Sequence, residues 1–158
     1  DVAEFQANLD RFLGQLPSGF EYAVELRDNR LLTPAYRDML ARHRVAHTFN
    51  YWSAMPTPGE QPAVVAPEES DFAVVRLLLR PGTWYEDQRE RFQPFDRLVE
   101  PDTAMRADVV AIARRVVNRG RRVFVLVNNK AEGSSPLTVT ALARALADAS
   151  HTSTDGAS

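Results

Sequence analysis

Arg121-Arg122-Val123-Phe124-Val125-Leu126-Val127-Asn128-Asn129-Lys130, continued by Ala131-Glu132-Gly133, is the stretch whose reading decides the fold. A valine-rich apolar run stops at two amides, and a glycine turn and a helical pattern follow. That arrangement predicts a buried parallel strand that delivers polar groups to one end of a sheet. Three earlier runs are built on the same plan: Tyr22-Ala23-Val24-Glu25-Leu26-Arg27, Val45-Ala46-His47-Thr48-Phe49-Asn50, and Phe72-Ala73-Val74-Val75-Arg76-Leu77-Leu78-Leu79. The third is apolar on both parities except at Arg76, so both of its faces are expected to be covered.

Helical patterns alternate with these strands. Val2, Phe5, Leu9, Phe12, Leu13 and Leu16 recur at three- and four-residue spacing and predict an amphipathic helix stopped by Pro17-Ser18-Gly19. Thr33-Pro34 opens a second helix, threonine as cap and proline in the first turn, with Tyr36, Met39 and Leu40 on its apolar face. Pro101-Asp102 begins a third, whose stripe is Met105, Val109, Ile112, Ala113, Val116 and Val117 and which ends at Gly120. Ser135-Pro136 caps the last, carrying Leu137, Leu142 and Leu146. Between the second and third strands, residues 51–71 hold five prolines or glycines and predict a long loop, functional or mobile. Residues 80–98 are aromatic and charged without a clean period. Strand and helix in alternation imply parallel strands joined by right-handed crossovers, an α/β fold of four strands.

At 158 residues the chain suits one domain with a real core, expected over residues 1–149, with residues 150–158 a small, polar, disordered tail. A net charge of −2 lacks the basic footprint of a nucleic-acid binder. No cysteine is present, which excludes disulfides, thiolate metal sites and cysteine nucleophiles. No apolar run approaches the roughly 18 residues needed to span a bilayer, and the expectation is a cytoplasmic protein outside the membrane. The chain begins at Asp1 and enters a helical pattern at once, as the later part of a longer protein would.

Ala23-Val24-Glu25-Leu26-Arg27, Val75-Arg76-Leu77 and Val127-Asn128-Asn129, in that order, carry a resemblance. Together with Gly14-Gln15-Leu16-Pro17 they resemble the "QLPP", "AVELR", "YVRLHG" and "YVYFNN" segments of the YecE-like family, domain of unknown function 72. The resemblance covers the chain from about Val2 to Ala147. It implies a variant of the eight-stranded parallel barrel, which runs to roughly 250 residues when complete. The four strands present match its C-terminal half, and the first-half "GTSGW" and "EINSTFY" motifs are missing. One departure falls within the shared part. Where members carry histidine and glycine after the "VRL" strand, this chain has Leu78 and Leu79.

In parallel α/β folds ligands meet the carboxyl ends of the strands. Those ends gather Glu25, Arg27, Asn50, Arg76, Asn128 and Asn129. Ionisable groups inside apolar strands are costly unless paired, which singles out Glu25 and Arg76. As a site, Glu25 serves as general acid or base while Arg76 and Arg27 clamp a phosphate or carboxylate. As structure, the same residues form an ion-pair network plugging the sheet. Asn128 and Asn129 have opposite parities, so one faces a ligand or strand-end backbone and the other fixes the turn before Gly133. Trp84-Tyr85 offers either a stacking surface for a sugar or base, or a tether for its loop. His43 sits at a helix end and His47 has no carboxylate at ligand spacing, so no metal site is expected. No P-loop, GxGxxG or Ser-His-Asp order occurs.

Two functions follow: an enzyme acting on a small phosphorylated or carboxylated carbohydrate-like substrate, or a non-catalytic binding or scaffold domain. A half barrel leaves two edges and one face open, which implies a homodimer or a separately supplied N-terminal half that closes the sheet.

Overall fold

The computed structural model describes residues 1–151, and the expected tail beyond them lies outside the described residues. The described residues form five α-helices and four strands in near alternation. Helix α1 (Val2–Leu13) is capped by Asp1, whose carboxylate accepts from Ala3 N at 3.1 Å. Strand β1 (Ala23–Val24) leads to α2 (Pro34–His43), where Thr33 Oγ1 accepts from Tyr36 N and Pro34 opens the helix as its sequence predicts. Strand β2 (Ala46–Tyr51), β3 (Phe72–Leu77), α3 (Tyr85–Phe92), α4 (Thr103–Val117), β4 (Arg122–Val127) and α5 (Ser135–His151) complete the order. All strand pairs are parallel and the sheet order is β1-β2-β3-β4. No helix of the described residues is long and apolar enough to cross a membrane.

The register assigns each side chain to a face. Phe49 pairs with Val75 and Val75 with Val125, and this parity packs against Met105, Val109, Ile112 and Val116 of α4. A second cluster joins α1 and α2 through Leu13, Tyr36, Met39, Leu40 and Val45, with Leu26 and Met55 against them. The opposite parity carries Arg122, Phe124 and Leu126 of β4 beside Phe72, Val74 and Arg76 of β3. Over this face Arg122 forms an ion pair with Glu21, just ahead of β1, so the two edges of the sheet are linked across it. It is therefore the inside of the sheet's curl.

Several expectations are corrected. The stretch read as a buried strand is an edge strand of the described sheet, and Phe124 and Leu126, 44% and 50% exposed, lie on the face turned away from α4 while Val123, Val125 and Val127 pack toward it. Val117, expected on the buried stripe of α4, is exposed beside that edge. Helix α1 ends at Leu13, not Leu16: its last turn tightens into Gln15 N→Phe12 O and Leu16 N→Leu13 O, and the residue before Pro17 is disfavoured in a helix. Leu78 and Leu79 leave the β3 ladder, both N–H groups turning to Tyr51 O. The charged segment after β3 contains α3, a short helix whose buried side chains, Gln88 and Phe92, are four apart. Two buried positions are too few to show a period. Helix α5 runs to His151, past the boundary expected at 150.

Candidate functional site

The carboxyl end of β1 brings three of the predicted residues together. Glu25 Oε1 accepts from Arg27 Nε at 3.0 Å and Glu25 Oε2 accepts from Arg76 Nη1 at 2.6 Å. The carboxylate thus acts as a fork between two guanidiniums, one from its own segment and one from β3, across β2. Glu25 is 16% exposed, Arg27 51% and Arg76 40%, so the fork is sheltered and the guanidiniums face outward. Arg27 is held on a second side by Trp52, its guanidinium carbon 4.5 Å from the ring centroid. A guanidinium has five N–H donors, and each of these spends one on Glu25. Two cations and one anion leave a net charge of +1 at this end of the inner face.

On the other side of the sheet, the carboxyl ends of β2 and β3 meet a second charged network. Arg80 donates to Tyr51 Oη at 3.1 Å, to Glu100 at 2.6 Å and to Asp102 at 2.8 Å. Glu100 also accepts from Arg91 at 2.9 Å. Tyr51 Oη donates to Asp102 at 2.5 Å. Glu132, fully buried after β4, accepts from Asp102 N at 2.6 Å and from Arg106 Nη2 at 2.9 Å. Burial raises the Tyr51 hydroxyl above its ordinary range, and Asp102 adds to that. Asp102 is driven up by burial, but the Met105 N–H, Tyr51 and Arg80 outweigh this and hold it below its ordinary value. The network locks the start of α4 to the strand ends.

The sequence model of the family described as "Protein of unknown function DUF72" matches residues 2–157. The chain belongs to that family. Two crystal structures of a DUF72 family protein, EF0366 from Enterococcus faecalis V583, share the fold with a TM-score of 0.62 at 17% sequence identity over 90% of this chain. The match covers 53% and 55% of those two chains, so this chain spans little more than half the length of its solved relatives. No curated protein matches it in sequence.

The remaining predicted residues of this DUF72 chain lie apart from the fork. Asn50 is fully buried, its Nδ2 donating to Leu26 O at 2.5 Å. Asn128 Oδ1 accepts from Lys130 N at 3.0 Å, and Asn129 Oδ1 accepts from Ser135 N at 2.7 Å. Both amides therefore shape the turn after β4, the second by holding the first residue of α5. Tyr85, at the start of α3, lies under Lys130 with the ammonium 4.3 Å from its ring centroid, and Trp84 beside it is exposed. His43 binds Asp10 at 2.7 Å, tying α2 to α1. His47 is enclosed between Tyr36 Oη at 3.0 Å and Gln61 Oε1 at 3.1 Å.

Sequence reasoning missed Trp52, Gln61, Lys130 and the Arg80 network. Gln61 stands among Pro56, Pro58, Gly59 and Pro62, where nothing in spacing or type marks it. The paired carboxylates Glu100 and Asp102 before a helix were the available signal for the network.

Proposed function

We propose that the carboxyl-terminal rim of the inner face binds the phosphate or carboxylate of a small carbohydrate-like molecule. Arg27 and Arg76 form the clamp, and Glu25 orients both. The supporting observation is the surplus: two half-exposed guanidiniums share one carboxylate, and each keeps donors in the planar fork that suits a bidentate oxyanion. In an enzyme built on this rim Glu25 is the acid–base candidate, since a carboxylate has about four acceptor positions and the arginines occupy two. Trp84 and Tyr85 are the stacking candidates for the sugar ring, with Asn128 and Asn129 beside them at the end of β4. The open edges of β1 and β4 belong to the same proposal: a second copy, or a separately supplied half, pairs with them and walls the rim.

A scaffold reading rests on a different observation. The β1–β2 ladder is only Ala23↔Ala46 and Val24↔His47, so the Glu25–Arg76 pair is a main tie between β1 and the rest of the sheet. Sulfate titration followed by calorimetry separates the two. The clamp predicts at least a tenfold loss of sulfate affinity in Arg76→Ala with the fold retained. Equal affinity in wild type and variant, with stability lowered, sinks the clamp and leaves the scaffold.

A further inference from the structure

Successive residues of a strand turn their peptide groups to opposite neighbours. Tyr51 O accepts from Leu78 N and Leu79 N on the β3 side, so Asn50 turns its N–H and C=O toward β1. The β1 ladder has already ended at Val24↔His47, and Asn50 is fully buried. Two peptide groups would be stranded there without water. Gln61 takes the place of the missing strand. Its Oε1 accepts from Asn50 N at 3.2 Å and its Nε2 donates to Asn50 O at 2.7 Å, the two bonds that successive peptide units of a neighbouring strand would otherwise supply. The second amide hydrogen goes to Pro56 O at 2.7 Å and the second lone pair takes His47 Nε2 at 3.1 Å. The full hydrogen-bonding capacity of the amide is used.

This substitution decides where the rim stands. With Gln61 beside Asn50, Leu26 cannot continue the ladder, and its carbonyl accepts the Asn50 side chain instead. Glu25 and Arg27 flank Leu26, so this bond falls between the two rim residues of that segment. Resting on the anion-clamp reading, we infer that Gln61 is the positioning residue of the rim, fixing Arg27 against Arg76 through Asn50 and the Leu26 carbonyl. It touches no ligand itself.

Sulfate is the probe, because it keeps its charge between pH 5.0 and 7.5. In Gln61→Glu the introduced carboxyl faces the carbonyls of Asn50 and Pro56, which accept a proton from the acid form and repel the ionised one. Affinity in this variant should fall about tenfold at pH 7.5 and return to within threefold of wild type at pH 5.0. Of the groups beside Gln61, His47 is kept neutral by burial down to about 4 in the wild type, but in the variant its Nε2 faces the new carboxyl, so both chains, wild type and variant at position 61, carry His47→Asn in this comparison. A folded variant that matches wild type at pH 7.5, or one that does not recover at pH 5.0, overturns the inference. Should that variant fail to fold, Asn50→Ala cuts the Leu26 anchor, together with a long 3.5 Å bond from Gln61 Nε2 to Asn50 Oδ1, and must lose sulfate affinity to a similar extent; unchanged affinity overturns the route through Leu26. If the wild type binds no sulfate, the anion clamp falls on its own. The Arg27 Nε–H resonance then decides the positioning: a shift in Asn50→Ala supports it, and an unchanged resonance overturns it.

Discussion

Acid should weaken this fold through one histidine. His47 is the second residue of β2, 1% exposed, between Tyr36 Oη at 3.0 Å and Gln61 Oε1 at 3.1 Å. The Gln61 amide is oriented by the two carbonyls that its nitrogen meets, so its oxygen faces His47, and the imidazole proton belongs on Nε2. Nδ1 then accepts from Tyr36, and a second proton would have to turn that hydroxyl onto Val24 O, a long 3.5 Å bond. Burial pushes the pKa from 6.5 down to about 4, although the Gln61 bond and the charge of Glu25 oppose it. A lowered native pKa means that the unfolded chain takes the proton first. Stability is therefore intact above about pH 6.5 and is lost as pH falls toward 4. Linkage puts the loss at about 2 kcal/mol by pH 5 and about 3 kcal/mol below pH 4. Urea unfolding of wild type and His47→Asn at pH 7.5, 6, 5 and 4.5 measures it, with the carboxylates common to both chains cancelling in the difference. The wild type should lose its advantage by about 2 kcal/mol between pH 7.5 and 5. A difference that stays constant to within about 0.5 kcal/mol would refute the assigned tautomer and the cost of burial.

Three further outcomes follow from the same contacts. Glu132→Gln leaves the Arg106 guanidinium, 17% exposed, without its counter-charge, and should cost on the order of 3 kcal/mol in a denaturant melt. Gly133→Ala should cost more than about 2 kcal/mol, since φ is +118° and the added carbon would lie 2.6 Å from Arg97 O and 2.8 Å from Val99 N, both backbone. If a second copy closes the sheet, Phe124→Asp should turn a dimer into a monomer in light scattering while leaving the helical circular dichroism unchanged; a wild type already monomeric at micromolar concentration rules the second copy out.

The strand-and-helix alternation was legible because buried parallel strands are continuous apolar runs, and Thr33-Pro34 and Pro101-Asp102 signal helix starts directly. Glu25, Arg27 and Arg76 were legible for a related reason: charge inside an apolar strand must be paired, and the order of the strands limits where. What stayed hidden was the layer of relations between segments. Asn50 looked like a strand-end ligand because its type and place are right for one, yet its amide goes to the carbonyl of a strand that has left the ladder. Asn128 and Asn129 differ in parity, as expected, but the amide oxygens of both serve the turn, since a single 3-10 turn after β4 exposes N–H groups that short amide side chains reach. The edge position of β4 could not be read either, because an apolar run looks the same whether or not another strand lies beside it.

Two charged networks stand at the same end of the sheet, and counting their charges separates their roles. On the helix side, Arg80, Arg91 and Arg106 face Glu100, Asp102 and Glu132, three against three, with bonds of 2.6 to 2.9 Å joining each ion pair. Such a balance removes the penalty of partly burying charge and leaves nothing over for a ligand. On the inner face, Arg27 and Arg76 share Glu25 alone, and both are more exposed than Arg80. At the end of β4, Lys130 rests on the Tyr85 ring with no carboxylate in ion-pair reach among the described residues. Arg27 and Lys130 gain from the rings they lie over and Arg76 from Glu25, but one positive charge of the fork has no counter-ion in it. Its contribution appears when an anion arrives. That asymmetry is what the proposed anion clamp rests on, while the helix-side network holds the strand ends to the start of α4.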